Sequence, residues 1–434
     1  MNESQFELFN QFSDLKIVNF KSKKKSMKQI FLILTVLALL ISIRVDAQKS
    51  AQLQQARVDV VYLASDLLGG RETGTEGEKL AAQYISSRFE QIGLKPYGIN
   101  GTWFQSFDFM FKSHPHDAGG EARVGKNVLA YLDNGADKTV VIGAHYDHLG
   151  MGVTGSLHAG DPGIHNGADD NASGVASLLY IAEQLAAGKS KQNNYLFMAF
   201  SAEEFGLVGS KYWVEHPTME LKNINYMLNM DMVGRLNAEK VLSINGVGTS
   251  PIWKELLAKT DVAGISINTT DSGIGASDHT SFYLNDLPVL HFFTGSHEDY
   301  HKPSDDAPLV NYNGIVDVSD YILAVVEQLD GNEKLAFSKT KDDTGRKAAS
   351  YKVSLGVMPD YVHSGEGMRI DGVLDGRPAA KAGFEKGDII IKIGDLEVKD
   401  IYGYMEGLAK LKEGDKVKVV VKRGDKEITK DVQF

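Results

Sequence analysis

Between about residues 50 and 330, short uninterrupted apolar runs alternate with longer stretches in which apolar residues recur every three or four positions. The runs at 140–144, 195–201, 227–230 and 289–293 are too apolar to leave one face in water. They read as strands of a buried, mostly parallel sheet. The stretches between them read as helices. One spans about 76–92, with Leu80, Tyr84, Ile85, Phe89 and Ile92 inward and Gly93 as its stop; another begins near Ser173, turns Val175, Leu178, Leu179, Ala182 and Leu185 inward, and ends before Gly188. Strands alternating with helices predict an α/β domain, a mostly parallel central sheet flanked by helices.

That periodicity stops after residue 330. Residues 331–350 are polar and charged, with Lys339, Lys341, Asp342, Asp343 and Arg346, and read as a linker. Residues 351–434 hold short β-type runs separated by turn signals such as Asp375-Gly376, Lys386-Gly387-Asp388 and Gly394-Asp395, which predicts a second, small β-rich domain. At the other end, a run of lysines (Lys21, Lys23, Lys24, Lys25, Lys28) precedes 14 uncharged, mostly apolar residues at 30–43 and then Val45-Asp46-Ala47. This order reads as a secretory signal peptide over residues 1–47, with Met27 as an alternative start. The apolar run falls short of the roughly 20 residues a membrane-crossing helix needs, so no stable span is expected after its removal, and the protein is expected to be exported, to a periplasm or beyond. The expected α/β domain then covers residues 48–330.

Composition narrows the chemistry. The 434 residues are 43% hydrophobic and 24% charged, with a formal net charge of −11; residues 1–47 carry +3 of it and the remainder −14. Nucleic-acid binding depends on clustered Lys and Arg, so no nucleic-acid partner is expected. Cysteine is absent, which removes disulfides, thiolate catalysis and cysteine-linked lipid anchors, and leaves His and carboxylates for any metal site.

Those residue types stand where the four strands end: His145-Tyr146-Asp147-His148 after the first, Glu203-Glu204 after the second, Asp231 after the third, and a loop from His297 through Tyr300-His301 to Asp305 after the fourth. In open α/β sheets the carboxyl ends of the strands border one crevice. A turn, Asp169-Asp170-Asn171-Ala172-Ser173-Gly174, lies between the first two strands. Singly, each piece has a plainer reading, such as Asp170-Asn171 capping the next helix or Glu203-Glu204 lying in solvent. Jointly, five metal-ligand motifs at one sheet edge point to a metal site.

These motifs, with Gly70-Arg71-Glu72-Thr73-Gly74 and Ser277-Asp278-His279, resemble the M28 family of zinc aminopeptidases over about residues 60–330. The resemblance implies two Zn2+ ions bridged by Asp170, one completed by His145 and Asp231 and the other by Glu204 and His301. Glu203, beside a ligand without being one, is the candidate general base, and Asp147 the candidate that orients His145. Tyr300 resembles a position that polarises the scissile carbonyl in some members, or else packs its loop. Asp278-His279 is expected to line the cleft, and His148, His158, His165 and His297 to be loop or supporting residues. The implied activity is hydrolysis of N-terminal residues from peptides with free N-termini. The alternatives are a carboxypeptidase or glutaminyl-cyclase-like enzyme on the same scaffold, or a non-catalytic peptide-binding protein.

Residues 351–434 resemble a PDZ domain, through Ser354-Leu355-Gly356-Val357 and the stretch from Gly376-Arg377-Pro378-Ala379-Ala380 to Gly387-Asp388-Ile389-Ile390. That resemblance implies a loop at 355–357 whose backbone N–H groups receive the terminal carboxylate of a C-terminal peptide ligand.

Overall fold

A computed structural model describes residues 50–111, 120–340 and 353–434, apart from residues 159, 189, 360–365, 374, 375, 400 and 425. The expected leader at 1–47 lies outside the described residues. The first helix, α1 (Glu76–Ile92), starts where Thr75 accepts a hydrogen bond from the Glu78 N–H and stops at Gly93, whose φ of 89° only glycine adopts readily. Its buried stripe is Glu78, Ala81, Ala82, Ile85, Ser86, Arg88 and Phe89, with Leu80, Tyr84 and Ile92 only half-buried at its margins. Small residues let the helix sit close to the sheet, and its two buried ionisable groups are both satisfied: Glu78 accepts from Gly74 N (2.8 Å), the Tyr146 hydroxyl (3.0 Å) and Ser201 Oγ (2.6 Å). Arg88 reaches Asp59 at 2.9 Å and Glu183 at 2.8 Å.

The central sheet is built from β1 (Phe104–Phe111), β2 (Glu121–Leu132), β3 (Thr139–His145), β4 (Asn194–Phe200), β5 (Ile224–Met230), β6 (Val241–Asn245), β7 (Ser266–Thr269), β8 (Val289–Phe293) and a two-residue strand at Lys95–Pro96. Its order is Lys95–Pro96, β2, β4, β3, β5, β8, β6, β7, with β1 paired to β2. The four neighbours β4, β3, β5 and β8 are parallel, and they are the four apolar runs of the sequence. Every residue of β3, β4 and β5 is buried. β2 meets β4, and β6 meets β8, in antiparallel sense. β1 escapes the apolar-run criterion because it alternates buried and exposed positions.

Helices α2 (Gly174–Ala186), α3 (His279–Tyr283) and α4 (Tyr312–Leu329) complete the frame around the site. Leu129, Val141, Leu196, Met198, Phe200, Trp213, Met227, Phe282 and Val289 form one apolar cluster. Each such side chain contributes about 1.5–3 kcal/mol when fully buried. Gly174 opens α2 against β5: a Cβ there would stand 2.6 Å from the Met230 carbonyl oxygen, so only glycine lets this helix start so near the end of the strand.

Of the expected linker, residues 331–340 lie packed on this α/β domain, with Leu335 and Thr340 buried and Phe337 against the apolar cluster; residues 341–350 lie outside the described residues. The polar composition of the stretch hides two buried anchors. Beyond it, β9 (Val357–Pro359), β10 (Met368–Val373), β11 (Ile389–Ile393), β12 (Lys416–Arg423) and β13 (Lys426–Gln433) form a second sheet in that order, with Leu396–Glu397 added to β11. Its own core contains Leu355, Met368, Ile370, Phe384, Ile390, Val419 and Val421.

Candidate metal centre

Parallel pairing brings the ends of β3, β4, β5 and β8 to one edge, and with them His145, Glu203-Glu204, Asp231 and the loop that carries His301. Asp170 sits between them, in the turn that leads into α2. His145 Nε2 stands 3.2 Å from Asp170 Oδ1 and 3.3 Å from Asp231 Oδ1. His301 Nε2 stands 3.1 Å from Asp170 Oδ2 and 3.2 Å from Glu204 Oε2. The two oxygens of one carboxylate therefore face two different imidazoles.

These spacings test the fit of a metal. Donors about 2.0–2.1 Å from a tetrahedral zinc stand about 3.3 Å apart, which is the spacing of both groups. The tautomers fit too. His145 Nδ1 lies 3.2 Å from the Asp147 carbonyl oxygen and His301 Nδ1 2.9 Å from that of Gly155. A carbonyl only accepts, so both Nδ1 atoms carry a proton, and Nε2 is the atom of each ring left to offer a lone pair when a cation takes the place of its proton. Asp147 thus supports His145 through its backbone; its carboxylate is 3.7 Å from the ring and instead accepts from the Glu203 N–H (3.1 Å) and Thr73 Oγ1 (3.1 Å).

The electrostatics describe a place that attracts cations. Burial opposes charge on His301, yet Glu204 and Asp170 raise its pKa to about 10; burial likewise opposes charge on His145, and Asp231 and Glu203 override it. Glu204 is buried, but His301 draws its pKa down to about 2, and Asp170 falls well below the ordinary range through its hydrogen bonds with His145 and His301. Glu203 behaves oppositely. Burial, with the charges of Asp231, Glu204 and Asp278, pushes it well above the ordinary carboxylate value despite His145. A carboxyl group so placed takes up a proton readily. Tyr300 is half-buried and its ring lies on His301, centroids 3.9 Å apart and 14° between planes.

Residues outside the candidate ligand set hold these groups in place. Asp305 Oδ2 accepts from the N–H groups of Asp169 (2.9 Å) and Asp170 (3.1 Å), while Oδ1 meets Arg235 at 3.3 Å. Asn171 Oδ1 accepts from Gly174 N (2.9 Å) and Met232 N (3.1 Å), so it caps α2 and also welds the Asp170 turn to the segment after β5. Arg71, fully buried, donates to the carbonyls of Leu63, Tyr146 (2.7 Å), Asn166 (2.6 Å) and Gly167 (3.0 Å), tying the His145 and Asp170 segments together. Burial lowers its pKa to about 10. His148 Nδ1 is 2.7 Å from Glu204 Oε1, and His297 Nε2 is 3.2 Å from Asp169 Oδ2. His165 bonds to Ser156 and the Gly163 carbonyl, and His158 is exposed. Asp278 and His279 are both fully buried; the charge of Asp278 acts on Glu203, and His279 stacks on His291 with centroids 4.5 Å apart. The sequence signal for Arg71 was its place in the Gly70-Arg71-Glu72-Thr73-Gly74 motif, which says nothing of its four carbonyl partners.

Residues 127–326 match the model of peptidase family M28, and residues 339–434 match that of the PDZ domain. Leupeptin-inactivating enzyme 1 of Streptomyces exfoliatus is 27% identical over 248 residues, 56% of this chain and 49% of that protein. Aminopeptidase YwaD of Bacillus subtilis is 28% identical over 206 residues, 45% of this chain and 42% of its own length. The chain thus spans about half the length of these curated relatives or less. Among solved structures, a zinc aminopeptidase from Bacillus subtilis has a TM-score of 0.50 at 18% identity, covering 65% of this chain and 95% of that one. Porphyromonas gingivalis glutaminyl cyclase has a TM-score of 0.52 at 19% identity, covering 64% and 98%. At such identities the likeness is one of fold.

Proposed function

We propose that this chain, which carries a domain of peptidase family M28 at residues 127–326 and a PDZ domain at residues 339–434, is an exported metallo-aminopeptidase that removes residues from peptides with free N-termini. The observation that carries the reading is Asp170, whose two oxygens stand 3.2 and 3.1 Å from the Nε2 atoms of two different imidazoles, with Glu203 beside them. His145, Asp170 and Asp231 would hold one Zn2+, and Asp170, Glu204 and His301 the other. When bound, such a pair acidifies water and polarises a carbonyl oxygen.

The protein's own groups account for the rest. Glu203, raised in pKa and anchored by its N–H on Asp147, accepts the proton of the attacking water and returns it to the departing amine. The Tyr300 hydroxyl donates to the oxygen that gains charge as the carbonyl is attacked, while its ring, lying on His301, keeps that histidine in place. Export is supported by the basic run followed by 14 apolar residues, and no helix among the described residues is long and apolar enough to cross a membrane.

The test is digestion of matched peptides with free and acetylated N-termini, followed by mass spectrometry, on zinc-loaded protein whose mature N-terminus is also sequenced. Stepwise loss of residues from free peptides only is expected, together with a start after Ala47. Chelation should abolish it, Glu203→Gln should reduce it by about 10²–10⁴-fold, and Tyr300→Phe should lower kcat. Cleavage of acetylated peptides would redirect the assignment to a carboxypeptidase or endopeptidase. Failure to cleave either form would favour cyclase chemistry or peptide binding alone.

A further inference from the structure

Residues 331–340 are fastened to the α/β domain at intervals. Lys334 Nζ donates to the Lys222 carbonyl (2.6 Å), Leu335 N to Asn225 Oδ1 (2.8 Å) and Ser338 N to the Thr249 carbonyl (2.8 Å). The last anchor is Thr340, which is buried. Its N–H donates to the Tyr283 hydroxyl (3.0 Å), its own hydroxyl shares a hydrogen bond with that same phenol (3.0 Å), and its Oγ1 accepts from Gly273 N (3.4 Å).

Gly273 and Tyr283 bracket the turn that contains Ser277 and Asp278, and they touch each other: a Cβ on Gly273 would stand 2.2 Å from the Tyr283 ring. On its other side the turn is tied to the site. Ser277 Oγ accepts from Asn229 Nδ2 (2.8 Å), on β5 two residues before Asp231. Ser281 Oγ meets Ser210 Oγ (2.9 Å) in the helix at Val208–Glu215, which follows Glu204. Asp278 is fully buried, and its charge acts on Glu203. A continuous set of contacts therefore runs from Thr340 to the strands that end in the metal-binding residues.

We propose that Thr340 is a positioning residue, which closes on Tyr283 and Gly273 and so holds the Ser277-Asp278 turn against the segments carrying Glu203, Glu204 and Asp231. The peptidase site is then completed by a residue that lies beyond the M28 match, at the start of the PDZ match. This inference rests on the aminopeptidase reading for its kinetic consequence, but its structural content stands apart from it.

The experiment compares full-length Thr340→Val, Thr340→Ser and Leu335→Ala with the parent chain. Hydrogen–deuterium exchange of residues 271–283 and steady-state kinetics are read together. Thr340→Val keeps the shape and removes the hydroxyl, so exchange across 271–283 should quicken and kcat fall on the order of tenfold, with KM within about twofold. Thr340→Ser should restore both. Leu335→Ala, which loosens the same segment away from the turn, should lower the thermal midpoint while leaving kcat and the exchange of 271–283 as in the parent. Unchanged exchange in Thr340→Val, or equal kcat losses in Thr340→Val and Leu335→Ala, would overturn the proposal. If the parent cleaves no peptide, the aminopeptidase reading fails and the exchange result alone decides the role of Thr340.

Discussion

Asp305 Oδ2 accepts from the N–H groups of both Asp169 and Asp170 and so aims the turn that carries Asp170. Replacing it by Ala leaves two buried donors without an acceptor, at a cost of about 1–3 kcal/mol each, and frees Asp170 to rotate. Zinc affinity of Asp305→Ala, measured by competition with a chelator, should fall about 10–100-fold. Asp305→Asn keeps a carbonyl oxygen in the same place and should recover most of that loss; equal affinity in Asp305→Ala and the parent would remove Asp305 from the site's support. For the five candidate ligands, residue type was legible in the sequence, as was position, after a strand end for His145, Glu204, Asp231 and His301 and in a turn before a helix for Asp170. The division of Asp170's oxygens between two histidines was not, because it depends on side-chain orientation set by Asp305, Asn171 and Arg71, which come from three distant parts of the chain.

At the scale of elements, α3 and β8 meet through two stacked histidines. Burial lowers His291 to a pKa of about 4 and His279 well below its ordinary value. In the unfolded chain both take up protons below about pH 6.5, whereas in the folded chain they remain neutral. The unfolded state then binds more protons, so stability is fully present above pH 6.5 and declines as pH falls from there toward about 4. Each histidine contributes a slope of up to about 1.4 kcal/mol per pH unit in that window. Urea unfolding of chelator-treated protein from pH 7 to 4 should therefore show a shallower pH dependence in His279→Gln than in the parent. Parallel curves would mean that His279 takes up its proton without unfolding. The elements themselves were legible where their pattern is local: α1 ends at Gly93, and β3, β4, β5 and β8 are continuous apolar runs. β1, half-exposed and alternating, carries no such run, and nothing near Asp278-His279 in sequence reveals that α3 is buried.

For the whole molecule, the region that matches the PDZ model is the candidate for a second binding surface. β9 is an end strand of its sheet, and Gly356, at φ +75°, turns the loop just before it. An end strand preceded by such a loop suits strand addition of a peptide whose carboxylate meets backbone N–H groups. Full-length protein with Glu203→Gln should bind peptides with free C-termini at least about tenfold more tightly than their amidated counterparts, since amidation removes the charged acceptor. Equal affinity by titration calorimetry would leave the domain with a packing role.

The sequence by itself determined the class of the fold, the edge where the candidate site gathers and the residue types it offers. Those follow from hydrophobic period and from the rule that parallel strands end together. Only the tertiary structure decided which donor atoms face one another, that Arg71 and Asp305 hold the Asp170 turn, and that residues 331–340 belong physically to the α/β domain. Each of these depends on hydrogen bonds between residues far apart in the chain, some more than a hundred positions, where no local pattern of apolar and polar positions carries the information.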